Sequence, residues 1–215
     1  MLGTDVDLQH WYRRADEFPW LGRLAQRLRG LKPPRYPDLW EALCHGIVFQ
    51  QLSIAAGAAI MKRLIERLST PIYHEGVRLC PFPRPPTIAA AQPRTLRSLG
   101  LSRMKASYLQ EAACTVIEGT IDEERIQALS TPEAAAKLME LRGIGPWSAS
   151  VVLLRGLGRL DAFPLRDTGV TASIALLSGD PSTRADVVLE RLGDMRGMLY
   201  FHLLVGRMWE RMQEP

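Results

Sequence analysis

The chain has 215 residues, of which 47% are hydrophobic, 23% charged and 7% aromatic, values that exclude a disordered polymer. Its longest nearly apolar run, residues 54–61, is too short to cross a bilayer, so no membrane partner is expected. Lysine and arginine outnumber aspartate and glutamate by 27 to 23 for a net charge of +4, a balance that suits nucleic acid without requiring it.

The first ten residues, MLGTDVDLQH, lack a basic stretch followed by an apolar one, so no secretory signal is expected. Residues 18–29 place Leu21, Leu24, Ala25 and Leu28 on one stripe with arginines opposite, which predicts an amphipathic helix. A proline-dense turn, GLKPPRYPD, follows. Asp38 and Glu41 then form a D-x-x-E start for a helix running from Leu39 toward Phe49. Gln50 and Gln51 interrupt it, and Ser53 caps a helix over 54–68. Residues 69–87 are rich in proline without a strong period and predict a loop. Helices return from Thr87 to Thr120 around a sharp turn at 99–102. Asp122-Glu123-Glu124 reads as a solvated helix start. Thr131-Pro132-Glu133 supplies a capping hydroxyl, a first-turn proline and an acid for a helix ending near Leu141. Gly143-Ile144-Gly145 makes a tight turn, and Pro146 opens a helix to about Gly156. The linker LGRLDAFPLR leads to Asp167 and a helix stopping at Gly179, and two more helices cover roughly 183–192 and 196–212. Strand patterns are few, so the expected class is all-α. The segments 96–106 and 138–149 share a helix–glycine–helix order, a faint internal echo.

The chemistry concentrates in LRGIGPWSASVVLLRGLG, residues 141–158. Glycine lets the backbone take left-handed angles and approach a ligand closely. Amides around Gly143, Gly145 and Trp147 at a helix N-terminus would attract an anion such as a DNA phosphate, with Ile144 pinning the turn to the core. The same G-x-G equally fits an ordinary tight corner.

In context the motif is more specific. GIGPWSA (143–149) followed by LDAFPLRDTGV (160–170) resembles the helix-hairpin-helix DNA glycosylase superfamily, and within it the 3-methyladenine DNA glycosylase II branch. IVFQQLSIAAG (47–57) is similar to that family's I-x-x-Q-x-x-S segment, and residues 82–109 to the stretch between the two. The likeness covers about 38–170, with the motifs in family order.

The resemblance implies two helical lobes with DNA in the cleft between them. One would span 35–165, with the hairpin at 141–147; the other would combine 1–34 with 166–215. It implies that Asp167 is the catalytic carboxylate, stabilising an oxocarbenium-like sugar and orienting water; the same residue also suits a helix cap. Trp147 stands where lyase relatives carry a Schiff-base lysine, and tryptophan cannot be that nucleophile. Its indole reads either as core packing or as a wall of the base pocket, attractive to cationic alkylated purines. Trp40 and His45 are further pocket candidates. Gln51 matches the residue that fills the gap left by a flipped nucleotide, or is a helix-ending surface glutamine; Gln50 is expected to be structural. Met139, Leu141 and Ile144 match positions whose carbonyls hold a monovalent cation, Na or K, in the family. No other cofactor is implied. No cysteine follows Cys114, so the iron–sulfur cluster of some relatives is not expected, and Cys44, Cys80 and Cys114 read as reduced thiols. Too few residues precede Asp38 for the mixed α/β domain of larger members. His202 is expected to be a core histidine. Arg142, Arg155, Arg159 and Arg166 are candidate phosphate contacts. The implied activity is hydrolysis of the N-glycosidic bond of an alkylated base, of the 3-methyladenine or 7-methylguanine type, flipped from duplex DNA by a cytoplasmic monomer. Two other readings stand beside it: a non-catalytic hairpin that binds DNA backbone, and a bifunctional glycosylase/lyase, which Trp147 disfavours.

Overall fold

The computed structural model describes residues 7–164 and 168–213, with side chains over 7–164 and 172–206. Helix α1 (Leu8–Ala15) starts at Asp7, whose carboxylate accepts from the Gln9 and His10 amides at 3.0 Å. The sequence pattern does not announce this helix, because it buries little beyond Trp11 and Ala15. Helix α2 (Pro19–Arg27) buries Leu21, Leu24 and Ala25, the expected stripe. Helix α3 (Leu39–Val48) is capped by Asp38, which accepts from the Glu41 amide at 2.7 Å, and α4 (Ile54–Leu68) is capped by Ser53.

The expected loop at 69–87 contains a small antiparallel ribbon. Strand β1 (Ile72–His74) pairs with β2 (Val77–Leu79), Ile72 opposite Leu79. Glu75 and Gly76 both take positive φ, 49° and 77°, as a tight two-residue hairpin turn demands. Each strand is three residues long and wholly exposed, so no apolar alternation marks it in the sequence.

Helices α5 (Pro85–Ala90) and α6 (Pro93–Ser98) pack on α7 (Arg103–Ile117). Asp122 caps α8 (Glu123–Ala128). Helix α9 (Thr131–Met139) is capped one residue earlier than Thr131: the Ser130 amide donates to the Glu133 carboxylate at 2.9 Å in a capping box. Helix α10 (Pro146–Gly156) has the expected bounds. Helices α11 (Thr168–Ser178), α12 (Ala185–Leu192) and α13 (Arg196–Gln213) complete the chain. The all-α class holds, with the ribbon as the exception among the described residues.

The packing falls into two groups joined by one continuous core. Helix α3 lies between α10 and α7, with α9 against α10. Helices α1 and α2 meet α11, α12 and α13. The α3–α10 contact is the close one. A Cβ on Gly46 would stand 3.0 Å from Val152, and one on Gly156 would stand 2.6 Å from the Ala42 methyl. Residue 46 therefore faces 148–152 while 42 faces 156, so the helices run antiparallel. The end of α3 and the start of α10 are thereby brought together.

The linker after α10 is held on both sides. The Gly197 amide donates to the Leu160 carbonyl at 2.6 Å, and Phe163 meets Tyr200 edge-on at 5.8 Å. Arg159 donates to the carbonyls of Ile126, Gln127 and Leu129 at 2.7–3.0 Å and to Thr131 Oγ1 at 3.1 Å. The chain is thus fixed through the buried Pro164.

Candidate functional site

The antiparallel α3–α10 pair sets two loops side by side. One is 49–53, containing Gln51; the other is the hairpin 142–147. Together with the first turn of α7 they line an open groove of about 1040 Å³ whose walls include Gln51, Lys105, Tyr108, Gly143, Gly145 and Trp147.

Gly143 has φ 89°, and a Cβ there would lie 2.2 Å from the Tyr108 ring. Glycine is needed for both reasons. Gly145 differs: its φ is −98° and its Cβ position is open. The Ile144 amide donates to the Leu141 carbonyl at 3.0 Å and its side chain is buried, which pins the turn. The amides of Gly143 and Gly145 have no acceptor among the described residues, and they precede the positive end of α10. The internal echo is also structural. Gly100 has φ 104° between α6 and α7, and that turn borders the same groove.

Gln50 is structural: its amide Nε2 donates to the Gly143 carbonyl at 2.6 Å and to Ser148 Oγ at 2.9 Å. Ser148 Oγ in turn donates to the Gly46 carbonyl at 3.0 Å. Gln51 is exposed, with φ 54°, an uncommon angle for a residue with a Cβ. Trp147 is half-buried in the groove wall.

His45 lies one turn before Phe49 on α3. Its ring stacks between Tyr36 at 4.1 Å and Phe49 at 5.2 Å. Arg155 lies over the Tyr36 ring at 4.7 Å and donates to the Pro34 carbonyl. Burial, with Arg155 adding to it, pushes the His45 pKa down to about 4. The ring is therefore neutral at pH 7, and its 3.9 Å approach to Glu41 is not an ion pair there. Burial raises the Glu41 pKa.

Trp40 is not brought to this groove. It is buried, and its indole N–H donates to the Pro83 carbonyl at 2.8 Å, beside a separate depression with Phe82 and Val116. Burial satisfied by a backbone partner accounts for it. Arg155 and Arg159 likewise bind carbonyls. Arg142 remains at the surface, 2.9 Å from Glu111 and 5.6 Å above the Tyr108 ring. Asp167 and Arg166 lie outside the described residues; in sequence Asp167 immediately precedes α11.

The Met139 and Ile144 carbonyls accept no backbone hydrogen bond among the described residues, while that of Leu141 accepts from Ile144. One carbonyl at the end of α9 and one in the turn, neither with a backbone partner among the described residues, are compatible with a carbonyl-ligated cation. The cysteines are free thiols, and no helix among the described residues is long and apolar enough to cross a membrane.

His202 is buried against Trp11 at 4.7 Å, with Nδ1 donating to the Met198 carbonyl at 2.9 Å. Its pKa is also pushed down to about 4 by burial. Unfolded, both histidines take up protons near pH 6.5; folded, they resist until about pH 4. Their contribution to stability is therefore complete above pH 6.5 and declines as pH falls toward 4. Each histidine contributes a slope of up to about 1.4 kcal/mol per pH unit in that window. Urea midpoints at pH 7 and pH 5 should differ accordingly, and His202→Phe should flatten the difference. Equal midpoints would show that these rings protonate as readily folded as unfolded.

Residues 44–193 match the family model of the HhH-GPD superfamily base excision DNA repair proteins. A DNA-3-methyladenine glycosylase of Bacillus subtilis is 33% identical over 173 residues, covering 80% of this chain and 57% of that protein. The chain spans about half the length of the curated relatives it matches. A 3-methyladenine DNA-glycosylase from Archaeoglobus fulgidus superposes with a TM-score of 0.81 at 26% identity, over 94% of this chain and 70% of that one. A Clostridium acetobutylicum 8-oxoguanine glycosylase/lyase, solved with duplex DNA, superposes with a TM-score of 0.83 over 97% of this chain and 73% of that one. At 19% identity this is a likeness of fold alone.

Proposed function

The chain belongs to the HhH-GPD superfamily of base excision DNA repair proteins, and from that premise we propose that it is a monofunctional DNA glycosylase removing alkylated bases from duplex DNA. The observation that carries this reading is the single groove in which Gln51, the Gly143–Gly145 hairpin and Trp147 meet. Relatives named for 3-methyladenine excision support the substrate class. The same fold also serves a glycosylase/lyase, and the monofunctional reading rests on Trp147, whose indole cannot form a Schiff base.

The roles follow from chemistry. The hairpin amides and the α10 dipole hold a phosphate of the damaged strand. Gln51 enters the stack where the nucleotide has left, offsetting part of an extrusion cost of a few kcal/mol. The flipped base stands beside the Trp147 indole, whose face attracts a cationic purine. Its positive charge weakens the bond to C1′. When that bond breaks, the electron pair leaves with the base and neutralises it, and positive charge appears on the sugar. The Asp167 carboxylate stabilises that charge and orients the water whose oxygen bonds to C1′, the water's proton passing to solvent to leave a neutral abasic sugar. A monovalent cation on the Met139, Leu141 and Ile144 carbonyls would stiffen the hairpin. The enzyme acts as a monomer.

The test is incubation with duplexes containing 7-methylguanine or 3-methyladenine. Free base should appear while the strand stays intact and borohydride traps no adduct. A trapped adduct with spontaneous strand cleavage would contradict the monofunctional assignment. DNA binding without release of any alkylated base would favour a backbone-binding module instead.

A further inference from the structure

Helix α7 sends three side chains, spaced three apart, toward the groove's working parts. Glu111 pairs with Arg142, Tyr108 packs under Gly143, and Lys105 reaches the loop that carries Gln51. The Lys105 contact is the unusual one. Its ammonium donates to the Val48 and Gln50 carbonyls, both at 2.7 Å. The first belongs to the last residue of α3, where carbonyls lack intrahelical partners, and the second to the turn that follows it. The next residue is Gln51, held at φ 54°. The amide of Leu52 donates to the Phe49 carbonyl at 3.2 Å, closing the turn from the other side. Gln50 points away, to the hairpin, so its side chain does not compete for Lys105.

A left-handed glutamine is strained and persists only where its surroundings enforce it. Two charge-assisted bonds to the preceding carbonyls are such an enforcement. We propose that Lys105 is a positioning residue for nucleotide extrusion: by gathering the Val48 and Gln50 carbonyls it holds Gln51 in the conformation that presents its side chain to the groove. This rests on the reading of Gln51 as the gap-filling residue. A lysine that merely capped α3 would influence stability and leave the cost of extrusion untouched.

Two duplexes separate these roles. In one the alkylated base has its normal partner. In the other it faces an abasic site, so no orphaned base needs support and the stack is already open. Single-turnover base release by Lys105→Met should slow about tenfold on the paired duplex and less than about twofold on the other, because extrusion is cheapest where pairing is already lost. Lys105→Arg, which keeps the donors, should recover most of the rate. In a Gln51→Ala background, Lys105→Met should cost nothing further on the paired duplex, since coupled residues are non-additive. Equal slowing on both duplexes, or full additivity with Gln51→Ala, would overturn the assignment. Wild-type protein that releases no base from either duplex would sink the glycosylase reading and this inference with it, whereas a normal wild-type rate with an unaffected Lys105→Met sinks this inference alone.

Discussion

Asp167→Asn is expected to release alkylated base on the order of 10³-fold more slowly than wild type, with DNA binding intact. The size follows from charge. A carboxylate about 4 Å from a developing positive charge is worth about 4 kcal/mol at an effective dielectric near 20, and each 1.36 kcal/mol is tenfold in rate. Asparagine keeps the shape and a side-chain oxygen, so it still caps a helix. It loses only the charge. Because Asp167 directly precedes α11, a cap is the competing role, and this substitution tells the two apart. The linker is anchored by Gly197, Tyr200 and Arg159 on its approach. Removing a negative charge beside phosphates should also tighten DNA binding slightly. Release within about tenfold of wild type would return Asp167 to the role of a helix cap.

Gly143→Ala and Gly145→Ala are expected to fail differently, although one residue separates them. At position 143 the methyl meets the Tyr108 ring at 2.2 Å, and φ is 89°. Left-handed strain adds about 1–2 kcal/mol and overpacking about 1–3 more. A stability loss of about 2–5 kcal/mol should appear in urea unfolding, accompanied by loss of DNA affinity. Adding Tyr108→Ala should restore the steric part but not the backbone part. At position 145 the backbone is extended and the space is open, so stability should stay within about 0.5 kcal/mol of wild type. The added methyl nevertheless sits where a phosphate would approach, so DNA affinity should fall. Wild-type stability in Gly143→Ala, or wild-type affinity in Gly145→Ala, would each contradict the hairpin's part as described.

Local signals were readable where local physics decides. Ser53 and Pro146 begin their helices where the sequence predicts, since capping and proline act within a single turn. Ser130 displaced Thr131 as a cap because the capping box needs its acid three residues on, and Glu133 stands at that distance from Ser130. The β1–β2 ribbon leaves no mark in the sequence pattern because its strands are short and exposed on both faces. Helix α1 shows no apolar stripe because it buries only Trp11 and Ala15, and Trp11 finds its partner in His202 from the far end of the chain.

The groove divides in the same way. The sequence alone carried the candidates: a G-x-G hairpin and an Asp before a helix are readable as residue types in order, and the resemblance to the family singles out Trp147. What it could not say is which side chains meet. Trp40 and His45 are both aromatic and both on α3, yet one is spent on the Pro83 carbonyl and the other stacks between Tyr36 and Phe49. Arg155 and Arg159 look like phosphate ligands and instead hold carbonyls. Lys105 looks like any surface lysine until the fold sets it 2.7 Å from two carbonyls beside Gln51. The Gln50 and Lys105 contacts were decided by the antiparallel approach of α3 and α10 and by α7 packed against α3, which bring residues some fifty to a hundred positions apart into hydrogen-bonding distance. Sequence order encodes what a residue can donate or accept, and only the closed packing of helices decides which partner reaches it first.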